Sequence, residues 1–185
     1  MKNDHLIGIG FKLLNCLLFP VMSLIVLYCT ESMNLIQVLF SQMFLGMIIS
    51  LIYLLVAKKK ISSTMPKKDF ILYLGRAISN FAAMVAWILA LKQLHINEAT
   101  ALGYTGPLWV FIMAQYIIGE KFNPKILILL AVNMIGMLII LKPSYLDMEW
   151  EGVFLALGSI LLWAIYEVIC KKQTYNQHYM LQSFY

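Results

Sequence analysis

The sequence predicts an all-α protein, a polytopic transmembrane helical bundle. Composition is the first ground. Hydrophobic residues make up 62% of the 185 residues and charged ones 12%, with a mean hydropathy of +0.81. Soluble domains are nearer half apolar and a quarter charged. Segmentation is the second: six apolar runs approach the ~20 residues that cross a ~30 Å hydrocarbon core. The third is where the basic residues fall, which is between those runs and mostly on one side.

The first span is expected over 6–28, with Pro20 predicting a bend in its second half. Lys12 interrupts the run and no A-x-A site follows, so this is a retained span rather than a cleavable signal. The second is expected over 35–57, with Gln37, Ser41 and Gln42 in its first turns as candidates to face the bundle. Lys58-Lys59-Lys60, then Ser-Ser-Thr-Met-Pro, then Lys67-Lys68-Asp69 read as a basic, turn-rich loop. The third span, over 70–91, carries Arg76, Asn80 and Trp87. The short link 93–97 then makes a tight antiparallel pair with the fourth.

The fourth span, over 98–118, organises the chain. Glu98 opens it, where a carboxylate meets the positive helix end. Pro107 lies near its middle, removing a helical hydrogen bond and clashing with the preceding turn. In lipid the freed backbone group needs a neighbouring helix, a side chain or water. A packed helix, locally weakened where a solute could sit, is therefore expected. Gly119-Glu120-Lys121 closes it. Asn123 suits the N-cap of the fifth span and Pro124 its first helical position. That span runs over 125–141 and Pro143 ends it. An acidic loop leads to the sixth span, over 152–170, followed by Lys171-Lys172.

With six spans, twelve of the fourteen basic residues fall on one side and only Lys92 and Lys142 on the other. The positive-inside rule then makes the N-terminus cytoplasmic. The +5 charge is thus a topology signal, and nucleic acid is excluded as a partner because no basic patch with interleaved aromatics lies outside the spans. Cys16, Cys29 and Cys170 have neither disulfide-framework nor zinc spacing and read as packing residues. A weak internal echo is also present. A shift of 144 residues sets Gly8 on Gly152, Leu13 on Leu157 and LLFPVMSLI on LLWAIYEVI. A five-span repeat of this kind would run inverted in its second copy, with a solute site at the repeat interface near the midplane.

Arg76 with Asn80, Trp87-Ile-Leu-Ala-Leu, Asn97-Glu98-Ala99-Thr100-Ala101, Thr105-Gly-Pro-Leu, Gly119-Glu120-Lys121 and the Gly136…Lys142-Pro143 ending resemble the EamA domain of the drug/metabolite transporter superfamily. The resemblance covers about residues 6–172 and is strongest over 76–143. Within that family the chain is most similar to the S-adenosylmethionine uptake carriers of intracellular bacteria, an impression to which Glu167 with Lys171-Lys172 contributes. The resemblance implies ten spans in two inverted five-span repeats, a bacterial inner-membrane location, and movement of metabolites without ATP hydrolysis. Residues 1–143 would then be the first repeat and 144–185 the start of the second. Two departures matter. Gln42 stands where the family often has arginine, and spans seven to ten are missing from the sequence. The expectation is therefore a half carrier that works with a second half or as a homodimer, or else a fragment or remnant.

Arg76, Asn80, Trp87, Tyr104 and Trp163 are the candidate substrate-binding residues, with Thr105 and Tyr166 as further candidates for a cavity wall. Of these, Asn80, Tyr104 and Trp163 are preferred as lining. For Arg76 two readings compete: recognition of an anionic group by its planar fork, and, preferred, an anchor that snorkels to the headgroups. Glu167 is either a coupling or counter-charge carboxylate or an i,i+4 partner of Lys171. Pro107, Gly119 and Glu120 have structural roles, Glu120 as a polar helix end. Gly103, Gly106, Gly152, Ala156 and Ser159 permit close helix packing.

The rival classes are a membrane enzyme and an accessory subunit. An enzyme would need a nucleophile with its base, a metal cluster or paired carboxylates in the bundle. His5, His95 and His178 are isolated near loops, and no such constellation occurs. The expectation is a carrier with no cofactor, whose partners are a small-molecule substrate and the lipid bilayer.

Overall fold

The computed structural model describes residues 2–56, 67–141 and 149–174. The loop at 57–66, Pro143 and the tail with His178 lie outside the described residues. Among those described the chain is wholly helical: α1 Lys2–Ser32, α2 Leu35–Val56, α3 Lys67–Gln93, α4 Ile96–Gly103, α5 Gly106–Ile117, α6 Pro124–Leu141 and α7 Trp150–Thr174. Four helices are long and apolar enough to cross a membrane, over Gly8–Ser32, Leu35–Val56, Phe70–Gln93 and Trp150–Gln173. The protein is a multi-pass all-α membrane bundle. Large apolar side chains such as Leu17, Ile49 and Leu129 stand exposed on α1, α2 and α6. Lipid solvates such surface as well as another helix would, so it carries no penalty.

Local sequence explains the helix ends. Asn34 accepts the Ile36 N–H at 3.0 Å, which starts α2. The Glu98 carboxylate accepts the His95 N–H at 3.0 Å at the head of α4. Asn123 accepts the Lys125 N–H at 3.1 Å, with Pro124 as the first residue of α6. These side-chain oxygens satisfy donors that a helix start leaves unpaired. Gly119, at φ +77°, adopts the left-handed conformation after α5, and the Glu120 N–H reaches back to the Ala114 carbonyl at 3.4 Å. Helix α1 runs through Pro20 without interruption.

The fourth span differs from its expected form. It is two helices, with the break at Tyr104–Thr105 and Pro107 in the first turn of the second. Proline is tolerated there because first-turn N–H groups have no intrahelical partner. The carbonyls at the break find donors. The Thr105 Oγ1 and N–H both donate to the Leu102 carbonyl, at 2.8 and 2.9 Å. Asn133 of α6 donates its amide to the Tyr104 carbonyl. A side chain and a neighbouring helix thus meet the requirement that lipid imposes.

The core lies where α3 and α7 pack along each other, with α4 and α5 closing on α7 and α1 and α2 leaning on α3. Trp87, Ile88 and Leu91 of α3, with Leu94 just past its end, meet Ala156 and Ile160 of α7. Small residues set the approach. Ala156 and Ser159 are fully buried, and a Cβ on Gly152 would lie 2.8 Å from the Leu94 Cγ. At one end of the bundle Lys12 pairs with Glu167 at 3.2 Å, Lys171 pairs with Glu120, and Lys172 donates to the Ile117 carbonyl at 3.3 Å. All three lysines belong to the basic set of twelve, so contacts gather them where the charge pattern puts them.

Candidate functional site

An aromatic junction joins three spans, near the middle of α1 and α7 and in the second half of α3. Phe19 of α1 meets Trp163 of α7 edge-to-face, with ring centroids 5.3 Å apart. Trp87 of α3 lies 5.6 Å from Trp163 and 6.1 Å from Phe19. Such tilted and edge-on pairs suit the ring quadrupoles. Each indole N–H has an acceptor: Trp163 Nε1 donates to Asn80 Oδ1 at 3.2 Å, and Trp87 Nε1 to Ser23 Oγ at 3.4 Å. The helix break abuts the same junction. Gly103 presents a surface whose Cβ would stand 3.8 Å from the tip of the Trp87 ring, and Gly106 does the same at 3.6 Å from Ile160.

A cavity of about 10 Å³ lies against this junction, walled by Phe19, Met22, Ser23, Met84, Trp87 and Trp163 among others. That is room for roughly one water. Metabolite pockets run to ~300–1,000 Å³, so the described residues supply a wall and do not enclose a solute. The Gln42 Nε2 lies 3.2 Å from the Met22 sulfur, while its Oε1 is buried without a hydrogen-bond partner.

A second polar cluster lies toward the basic end. Arg76 is only 9% exposed and donates to Gln173 Oε1 at 3.2 Å. Its guanidinium stands 5.3 Å from the Tyr73 ring centre and 5.9 Å from that of Tyr166. The preferred sequence reading has this side chain snorkelling to the surface. Instead it turns into the α3–α7 interface, where two ring faces and an amide oxygen replace part of its hydration. The Gln173 Nε2 is buried there without a hydrogen-bond partner.

The structure thus brings Asn80, Trp87 and Trp163 together and sets Arg76 beside Tyr166 on the same helix pair. Tyr104 is not brought to them: its side chain is 43% exposed at the helix break and does not line the cavity. Thr105 is buried but bonded to its own turn. Glu167 faces Lys12 across the α1–α7 crevice, and Glu120 holds Lys171. Pro107 and Gly119 shape the two ends of α5. Sequence reasoning missed Phe19, Ser23, Asn133 and Gln173. Asn133 carries a readable signal, as an amide inside an apolar span. Phe19, Ser23, Val26 and Thr30 also recur at helical spacing on one face of α1. Nothing in the sequence marks Gln173.

Among the described residues no group of three or more His, Cys, Asp or Glu side chains could hold a metal ion. Comparison with known proteins supplies the remaining finding. The EamA-like transporter family matches residues 6–142. An S-adenosylmethionine uptake transporter of Rickettsia prowazekii is 25% identical over 181 residues, covering 98% of this chain and 60% of the relative. A riboflavin transporter of Brucella anthropi is 32% identical over 105 residues, 57% of this chain and 37% of the relative. The human solute carrier family 35 member G1 is 25% identical over 132 residues, 65% of this chain and 36% of the relative. The chain spans about 60% of the length of the rickettsial relatives it matches. No solved structure gives a significant match.

Proposed function

The chain belongs to the EamA-like transporter family, and on that premise we propose that it forms the first repeat, and the opening of a second, of an ATP-independent metabolite carrier in a bacterial inner membrane. Transport proceeds by alternating access around the junction of α1, α3 and α7. The observation that carries this reading is the position of Phe19, Asn80 and Trp163, each near the middle of its span, on helices from both proposed repeats. The water-sized cavity fits a site whose other wall comes from a second half.

S-adenosylmethionine is the substrate we assign. The relatives named for its uptake match almost the whole chain, whereas the riboflavin transporter matches little more than half. The chemistry agrees. A sulfonium cation is attracted to the faces of indole and phenyl rings, and Phe19, Trp87 and Trp163 offer three. Adenine stacks on the same surfaces, Asn80 offers an amide, and Arg76 a fork for the amino-acid carboxylate. The excess of basic residues at the Lys12 and Lys171 end supports a cytoplasmic N-terminus.

The test is uptake of labelled S-adenosylmethionine by cells expressing the chain from its own locus, with its genomic surroundings in place. Uptake should be saturable and should fall at least tenfold (about 1.4 kcal/mol) in Trp163→Ala and Asn80→Ala proteins that insert at normal levels. Uptake that ignores both substitutions removes the junction from the pathway. Competition by riboflavin rather than S-adenosylmethionine reassigns the substrate, and stable insertion without any uptake leaves a membrane scaffold.

A further inference from the structure

The small cavity at the aromatic junction is set between four helices. Phe19, Met22 and Val26 of α1, Leu39 of α2, Trp87 of α3 and Trp163 of α7 all reach it. It has room for one water but offers a water nothing to bond. The surface it presents is apolar, and a buried water needs several polar partners. The polar groups of the junction are already engaged elsewhere: Asn80 accepts the Trp163 N–H and Ser23 the Trp87 N–H. Ring and thioether surface is left facing the space. A methyl group has about the bulk of a water and needs no hydrogen-bond partner.

Electrostatics decides which methyl fits. The faces of Phe19, Trp87 and Trp163 carry the negative side of the ring quadrupole and attract a cation. The Met22 sulfur is polarisable and is held at 3.2 Å by the Gln42 Nε2. The Gln42 Oε1 beside it is buried without a hydrogen-bond partner. Such an acceptor is costly, and a positive charge nearby offsets part of that cost. An ammonium would itself need acceptors for its N–H groups, which this wall does not present. A methyl on a charged sulfur or fully substituted nitrogen brings the positive charge with no donor to satisfy.

We infer that the cavity is a methyl-onium pocket: it takes a methyl group carried on a cationic sulfur or nitrogen, and so separates an onium solute from its neutral, demethylated counterpart. The inference deepens the carrier reading given above and rests on it for the claim that the pocket lies on a transport path. Phe19, Met22 and Trp163 are only half-buried, so the remainder of the solute lies on the open side of the junction. For S-adenosylmethionine the pocket holds the S-methyl group. The neutral thioether S-adenosylhomocysteine, lacking both the methyl and the charge, leaves it empty.

Tryptophan fluorescence tests this on the chain expressed from its own locus and purified from native membranes, since Trp87 and Trp163 wall the cavity. Trimethylsulfonium should change the emission saturably. Dimethyl sulfide, which lacks the charge, and methylammonium, which adds N–H donors, should bind roughly tenfold more weakly, the scale of a desolvated cation–π contact. Phe19→Leu removes a ring face and Val26→Ile adds a carbon at the wall. Either one, in a protein that elutes as the parent does, should weaken trimethylsulfonium by about the same factor. Tetramethylammonium binding more tightly than trimethylsulfonium keeps the pocket and makes nitrogen the onium atom. No saturable response to either onium ion, equal binding of dimethyl sulfide, or binding that ignores both substitutions overturns the inference. Binding needs no transport, so the expected pattern without S-adenosylmethionine uptake keeps the pocket and discards the carrier reading. Uptake that S-adenosylhomocysteine competes as well as S-adenosylmethionine does keeps the carrier and discards the pocket.

Discussion

Two glycine-to-alanine substitutions on α7 should have opposite signs. At Gly158 a new methyl meets open space. Alanine is favoured over glycine in a helix by roughly 0.5–1 kcal/mol, so Gly158→Ala should stabilise by about that amount. At Gly152 the same gain applies, but the new Cβ would lie 2.8 Å from Leu94 Cγ, 3.0 Å from Gln93 Cβ and 3.1 Å from Leu94 Cδ2. Carbon atoms settle at ~3.5–4.0 Å, so α7 must withdraw from the end of α3 or Leu94 must leave its rotamer. Overpacking of this kind costs about 1–3 kcal/mol. The difference between the two variants isolates that clash from helix propensity. On a scale of ~2–4 °C per kcal/mol for chains of this size, Gly152→Ala should melt about 2–12 °C below Gly158→Ala. The assay is thermal unfolding of the purified protein in detergent, followed by fluorescence-detected size exclusion. Adding Leu94→Ala to Gly152→Ala should recover part of the loss relative to Leu94→Ala alone, because the obstructing side chain is gone. Equal melting of the two glycine variants would refute the close approach of α3 and α7.

Asn133→Ala removes the amide that donates to the Tyr104 carbonyl at the helix break. The bond lies on an exposed part of the bundle, where lipid or detergent offers no replacement donor, so the unpaired carbonyl costs ~1–3 kcal/mol, and the same melting assay reads the loss. Lys12 and Glu167 pair across the α1–α7 crevice with side chains 66% and 48% exposed. In water such a pair is worth less than about 1 kcal/mol, so Lys12→Glu should change stability little. If the pair closes one end of the pathway, Lys12→Glu lowers uptake and the exchange Lys12→Glu with Glu167→Lys restores it. Restoration failing, with both proteins inserted, would separate the pair from transport.

The membrane class, the all-helical character and the helix caps were legible because they depend on local quantities. An apolar run of bilayer length needs no partner to declare itself, and the caps at Glu98 and Asn123 act within three residues. Ends drifted outward, as at Ser32 and Thr174, because helices continue past the apolar run while their donors stay paired. The broken fourth span was half legible. Pro107 announces a weakness, but its position inside a first turn depends on Thr105 and on Asn133, which arrives from another helix. The site was legible as residue types. Asn80, Trp87 and Trp163 are polar or aromatic groups in spans, and the structure joins them.

What the sequence determined by itself was the membrane class, the helical state of the apolar runs and the caps that start helices at Glu98 and Asn123. Those follow from transfer free energies and local hydrogen bonding, which add along the chain. Tertiary structure alone decided the pairings. Nothing local distinguishes Lys171 from Lys12 as a partner for Glu167, or an Arg76 that snorkels from one that turns inward to Gln173. Both outcomes depend on how closely α7 approaches α3 and α1. Steric fit at Gly152, Ala156 and Ser159 sets that approach, between residues that the chain keeps many turns apart.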